Sequence, residues 1–90
     1  MYLVRKEEAL RQKRANDLYK AGMQFYADQE YNKAADNFTL AIGLQANVAR
    51  YYFARGNCFR CLKEYQRCIF DYSMAIRADD NTAVYFGTCV

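Results

Sequence analysis

ARYYFARGNCFRCLKEYQRCIFDYSMAIRADDNT, residues Ala49 to Thr82, repeats the stretch that precedes it. Shifted back by 34 residues it lies on ANDLYKAGMQFYADQEYNKAADNFTLAIGLQANV, Ala15 to Val48. Eight pairs are identical: Ala15/Ala49, Gly22/Gly56, Phe25/Phe59, Glu30/Glu64, Tyr31/Tyr65, Ala41/Ala75, Ile42/Ile76 and Asn47/Asn81. Tyr19/Phe53, Lys33/Arg67, Phe38/Tyr72 and Leu40/Met74 are close in kind. The matches fall on small and aromatic residues, which set the distance between helices, while polar positions drift. An internal period of this length means stacked supersecondary units, each too small to bury its own apolar face.

Each unit reads as two helices. In the first copy Leu18, Ala21, Gly22 and Phe25 stand at i, i+3, i+4 and i+7, one face of an α-helix. Ala34, Ala35, Phe38, Ala41 and Ile42 repeat that spacing after a short break. The second copy offers Tyr52, Gly56 and Phe59, then Cys68, Ile69, Tyr72, Ala75 and Ile76. Gly22 and Gly56 fall in mid-helix, where glycine costs ~1 kcal/mol relative to alanine. A penalty that recurs at one spot predicts a close helix approach that a Cβ would block. Phe25/Phe59 and Phe38/Tyr72 then fill the space beside that contact. The first helix of each unit is expected to end near Asp28-Gln29 and Leu62-Lys63. The second is expected to end near Gln45–Asn47 and Asp79–Asn81, where asparagine tolerates left-handed backbone.

On Leu18, Ala21-Gly22, Phe25, Tyr31, Ala34, Phe38 and Ala41-Ile42, and on their echo in the second copy, the chain resembles the tetratricopeptide repeat (TPR) family, whose period is 34 residues. The resemblance implies an all-α fold, a right-handed α-solenoid of tandem helix-turn-helix units. The expected division is a helical N-terminal extension over 1–14, continuous with the first repeat helix, then repeats over 15–48 and 49–82. Residues 83–90 read as the start of a truncated third repeat or a capping stub, with Ala83, Val84, Tyr85, Phe86 and Cys89 as its apolar side chains. Three features depart from the family. Proline is absent. Gln29 and Lys63 stand where the inner turn usually has glycine. Arg55 takes the place of Ala21, normally a small or apolar core position.

The same resemblance implies that the first helix of each pair lines a concave face that contacts peptides. The matching positions are Asn16, Tyr19, Met23 and Tyr26 in the first repeat, and Arg50, Phe53, Asn57 and Arg60 in the second. Their chemistry suits a partner segment with acidic and apolar residues: aromatic faces supply area, asparagines reach backbone, and arginines fork onto carboxylates. By helical spacing Asp17 and Glu64 fall on other faces than the two arginines. For Tyr19 and Phe53, which recur in register, packing between repeats is an equal alternative. A lysine–asparagine clamp for chaperone C-terminal tails is not expected, because Tyr19, Met23 and Phe53 occupy its sites.

Composition narrows the rest. Apolar residues make up 53% of the 90, enough for a core, and charged residues 26%, so neither a disordered nor a membrane class is indicated. No apolar run approaches ~18 residues, and charges break the apolar stretch after Leu3-Val4, unlike a signal peptide. A cytoplasmic protein is expected. The net charge of +3 resides in residues 1–20, with six Lys/Arg against three Asp/Glu. That basic run is short and interrupted, so neither nucleic acid nor membrane is an expected partner. It reads as a solvated helix, or else as a docking surface.

Cys58, Cys61, Cys68 and Cys89 include a C-x-x-C, but Cys58 and Cys61 lie inside a predicted helix rather than at an N-terminus that would lower their pKa. With no histidine to assist, a zinc site would need all four cysteines to converge. Free thiols packed as small hydrophobes are expected, with no metal and no cofactor. No nucleophile motif or phosphate loop occurs, so the expected role is a scaffold or adaptor for protein–protein interaction, not an enzyme. The alternative is a structural repeat segment, built into a larger assembly through its helix ends and N-terminal helix. Two repeats are fewer than such arrays usually need, which leaves room for a homo-oligomer or a longer array.

Overall fold

The computed structural model describes residues 2–78. They form four α-helices and no strand: α1 (Tyr2–Ala27), α2 (Tyr31–Leu44), α3 (Ala49–Cys61) and α4 (Tyr65–Ala78). The stub expected over residues 83–90, the helix end at Asp79–Asn81 and Cys89 lie outside the described residues. α1 runs without a break through residues 14 and 15, since its first half holds strong helix formers and no breaker. Each helix packs on the next in the chain. Connections this short hold successive helices antiparallel.

The core is built from small residues around a few rings. Phe38 is fully buried among Ala34, Ala35, Ala54 and Cys58, joining α2 to α3. Ala15, Ala41 and Tyr51 form a second cluster across α1, α2 and α3, and Ala49, Tyr52 and Ala75 a third across α3 and α4. The repeated glycines do the work that their position predicts. A Cβ on Gly22 would stand 2.6 Å from Phe38 Cε1, and one on Gly56 2.8 Å from Tyr72 Cε1. Glycine at these points lets a ring come close to the helix backbone.

Two expectations about faces and one about backbone need correction. Ala21 lies on the predicted core stripe but is exposed. Ile69 and Ile76 are 63% and 52% exposed, because no helix among the described residues covers the outer side of α4. Left-handed backbone occurs not at Asn47 but at Gln29 (φ 65°) and Lys63 (φ 64°).

These two residues explain the departure from glycine. After α1, Glu30 N–H donates to Phe25 O at 2.8 Å and Gln29 N–H to Tyr26 O at 3.0 Å. After α3, Glu64 N–H donates to Phe59 O at 2.8 Å and Lys63 N–H to Arg60 O at 3.0 Å. This paired closure of the last carbonyls is a Schellman motif, whose penultimate position must be left-handed. A Cβ there costs about 1–2 kcal/mol. Lys63→Gly is therefore expected to raise stability by about 0.5–1 kcal/mol, after allowance for the extra freedom of the unfolded chain. A lower thermal midpoint in Lys63→Gly would contradict the motif.

Arg55 is neither a misplaced surface residue nor a core anomaly. Its Nε donates to Asp71 Oδ2 at 2.9 Å and its Nη2 to Asp71 Oδ1 at 2.7 Å. Nη1 donates to Thr39 Oγ1 at 3.2 Å, so one guanidinium ties α2, α3 and α4 together. Asp71 is 1% exposed. Burial between helices makes its carboxylate structural.

Candidate functional site

α1 and α3 lie side by side and leave an apolar hollow between them. Tyr19, Met23 and Tyr26 reach it from α1 at i, i+4 and i+7. Arg50, Phe53, Ala54 and Asn57 reach it from α3 at i, i+3, i+4 and i+7. Its volume is about 130 Å³, room for one aliphatic side chain. Six of the eight sequence-predicted residues thus share one cavity. Asn16 lines a wider neighbouring hollow of about 500 Å³ with Lys13, Gln45 and Arg50. Arg60 is exposed one turn beyond Asn57 and outside the lining, although its charge acts on Tyr26.

The walls are held by contacts from behind. The Tyr19 ring packs on Phe38 and Tyr51, with centroids 5.7 and 5.3 Å away, while the residue also lines the hollow. Phe53 stacks on Tyr72 at 5.5 Å. Tyr19 and Phe53 therefore pack between helices, as the second alternative expects, and also line the cavity. The Arg50 guanidinium lies 5.6 Å from the Tyr19 centroid and 5.1 Å from that of Tyr51, held by cation–π attraction on an exposed side chain. The Tyr72 hydroxyl donates to Asn57 Oδ1. That bond fixes the amide's orientation and turns its NH2 group away from Tyr72.

Two residues of this region escaped sequence reading. Ala54 is the buried floor of the hollow, marked by the period only as a counterpart of polar Lys20. Cys61 stands at the far end, where its Sγ is 3.6 Å from Tyr26 Oη. Its place one turn after Asn57 on the lining stripe was the available signal. Cys58, Cys61 and Cys68 are free thiols, of which only Cys61 is exposed. No group of three or more His, Cys, Asp or Glu side chains is placed to hold a metal ion among the described residues.

Two groups here are displaced in pKa. Burial, then the hydrogen bond to Cys61, pushes the Tyr26 phenol from 10.0 up to about 12. Burial, then the charge of a Cys61 thiolate, pushes Cys58 from 9.0 up to about 12. Both are acids neutral at low pH, so the unfolded chain releases these protons before the folded one does. Their contribution is complete below about pH 9 and drains as pH rises towards about 12. The denaturation midpoint is expected to fall over that window, and Tyr26→Phe to flatten the part above pH 10. A midpoint that climbs with pH there would contradict the burial of both groups.

No family model matches the chain. It is similar to DnaJ homolog subfamily C member 7 of Mus musculus, 30% identical over 79 residues. The match takes in 88% of this chain and 16% of that protein, so the chain spans less than a fifth of its relative's length. A match of that length includes most of both helix pairs. No helix of the described residues is long and apolar enough to cross a membrane.

Proposed function

We propose that this chain is a TPR-type protein-interaction module, a short α-solenoid that holds a segment of a partner protein in the hollow between α1 and α3. One observation carries the reading: side chains one period apart, from two different helices, converge on an apolar cavity with an exposed arginine at its mouth. Similarity to a DnaJ homolog supports a role in protein interaction. The cavity accepts one apolar side chain, and Arg50 and Arg60 favour carboxylates on either side of it. The ligand class is then an extended or helical protein segment in which acidic residues flank an aliphatic one. Chaperone C-terminal tails remain outside this class, because Tyr19, Met23 and Phe53 replace the clamp that would hold a terminal carboxylate. Catalysis, nucleic acid, membrane and cofactor have no part in the proposed role, which suits a cytoplasmic adaptor.

Peptides selected from a random displayed library on the intact chain provide the test. They are expected to share an aliphatic residue with acidic neighbours, and to bind more weakly as salt rises. An Arg50→Ala/Arg60→Ala/Tyr26→Ala variant that retains its helix content should bind them at least about tenfold more weakly, the equivalent of ~1.4 kcal/mol. Equal binding by the folded variant would remove the hollow as the site. The structural reading, in which the segment is built into a larger assembly, draws on a different observation: the exposed apolar side of α4.

A further inference from the structure

The apolar hollow has a polar neighbour. Gln12, Lys13 and Asn16 of α1 face Gln45 and Arg50, from the turn between α2 and α3 and the start of α3, across the wider space of about 500 Å³. None of its eight lining residues is acidic, so its walls carry positive charge alone. Residues 37–63, which supply the whole wall opposite α1, hold no Asp or Glu. On α1, Glu8 and Asp17 stand about a quarter turn off the lining stripe, and Glu7 on the opposite side. Neither Lys13 nor Arg50 forms an ion pair among the described residues. Two cations thus share a concave space whose walls offer them no counter-charge.

The donors there exceed what a carboxylate takes up. Lys13 brings an ammonium, Arg50 a guanidinium, and Gln12, Asn16 and Gln45 three amide groups. A carboxylate offers two oxygens and one charge. A phosphorylated side chain offers three oxygens and nearly two charges, which answers both cations and leaves acceptors for the amides. Arg50 is also placed in advance. Its guanidinium lies 5.6 Å from the Tyr19 centroid and 5.1 Å from that of Tyr51, so less freedom is lost when an anion binds. Tyr19 lines the apolar hollow, Tyr51 the polar one, and Arg50 both, so Arg50 is their shared wall.

Lys13 and Met23, near the middles of the two linings on α1, are ten residues apart, or ~15 Å at the helical rise. An extended segment covers that distance in about four or five residues. We propose that the wider hollow receives a phosphorylated side chain of the partner segment, about four or five residues from the aliphatic one that fills the apolar hollow. The inference rests on the interaction role proposed above and adds to it a modification that raises affinity. Gln12 and Lys13 stand ahead of the first repeat, and one period after Lys13 comes Asn47, so the second repeat does not duplicate the site.

Two titrations of the full chain test it. The first uses inorganic phosphate at constant ionic strength. Amide shifts should saturate together at Lys13, Asn16, Gln45 and Arg50. Lys13→Gln, at an exposed residue, should weaken phosphate about fivefold or more, the scale of one lost hydrogen bond. Shifts of equal size at Lys6, Arg14 and Lys20 would overturn the proposal, because they would mark diffuse attraction to every cation. The second titration uses library-selected acidic peptides remade with serine or phosphoserine at the stated spacing from the aliphatic residue, or directly beside it. Phosphoserine at the stated spacing should bind at least about tenfold more tightly than serine, and Lys13→Gln should erase most of that gain. No gain, or the same gain at both spacings, would overturn the proposal. So would capture of the chain by phosphatidic acid vesicles without a gain from the phosphopeptide, which would give the hollow to a lipid head group. The phosphate titration involves no peptide. A wider hollow that ignores phosphate would end this inference and leave the apolar hollow standing, which the serine peptides test by themselves.

Discussion

Asp71→Ala should destabilise the chain by about 3–5 kcal/mol, the usual result of removing one partner from a buried ion pair. The Asp71 side chain is 1% exposed and that of Arg55 16%, so water screens the pair little and cannot rehydrate the survivor in place. Arg55→Ala should cost as much, because it leaves a carboxylate buried between α3 and α4. A loss of that size is a large share of the 5–15 kcal/mol that holds a typical domain together. The first repeat supplies the control. At the same two positions it carries Ala21 and Asn37 and needs no ion pair. Arg55→Ala/Asp71→Asn should therefore lose less than the sum of its single variants, by about 0.5–3 kcal/mol. Additive losses in urea titration would mean that the two side chains act independently and that the geometry of the pair is wrong.

Gly56→Leu should cost about 1–3 kcal/mol by overpacking. Its Cβ alone would meet Tyr72 Cε1 at 2.8 Å and Asp71 Cβ at 3.2 Å, and both belong to a helix anchored by the Arg55 pair. Gly22→Leu should fare no better, since the ring it would strike, Phe38, is fully buried and has nowhere to move. Gly43 separates crowding from helix propensity. Nothing lies within 4 Å of its Cβ position, so Gly43→Ala should stabilise α2 by up to ~1 kcal/mol. Opposite signs for Gly56→Leu and Gly43→Ala in thermal melts support the packing described. A Gly56→Leu midpoint equal to wild type would show that Gly56 does not face α4.

The helices and the crowded glycines were legible in the sequence because the period prints them twice. Features carried by one copy alone were not. Arg55 was visible as an exception to Ala21, yet its partner lies 16 residues away on another helix, where no spacing rule reaches. Asp71 in place of Asn37 was the matching exception, and two departures in one copy that answer each other are the signal that could have joined them. Gln29 and Lys63 stood where glycine belongs, and the structure shows why glycine belongs there: the turn is left-handed. The family resemblance, carried onto the helical register, also pointed to the lining of the hollow, but not to its reach. It placed Asn16 and Arg60 on the right stripes and could not tell that the cavity stops short of both. Exposure of Ile69 and Ile76 was hidden for a similar reason, since periodicity names an apolar face without naming what covers it.

The hollow between α1 and α3 is tested most directly by amide chemical-shift mapping with a library-selected peptide on the full chain. Shifts that saturate together at Tyr19, Met23, Phe53 and Asn57, with little change along α4, are the predicted result. Shifts confined to Ile69, Phe70 and Ile76, on the exposed side of α4, would contradict it and make that side of α4, not the hollow, the surface that meets a partner.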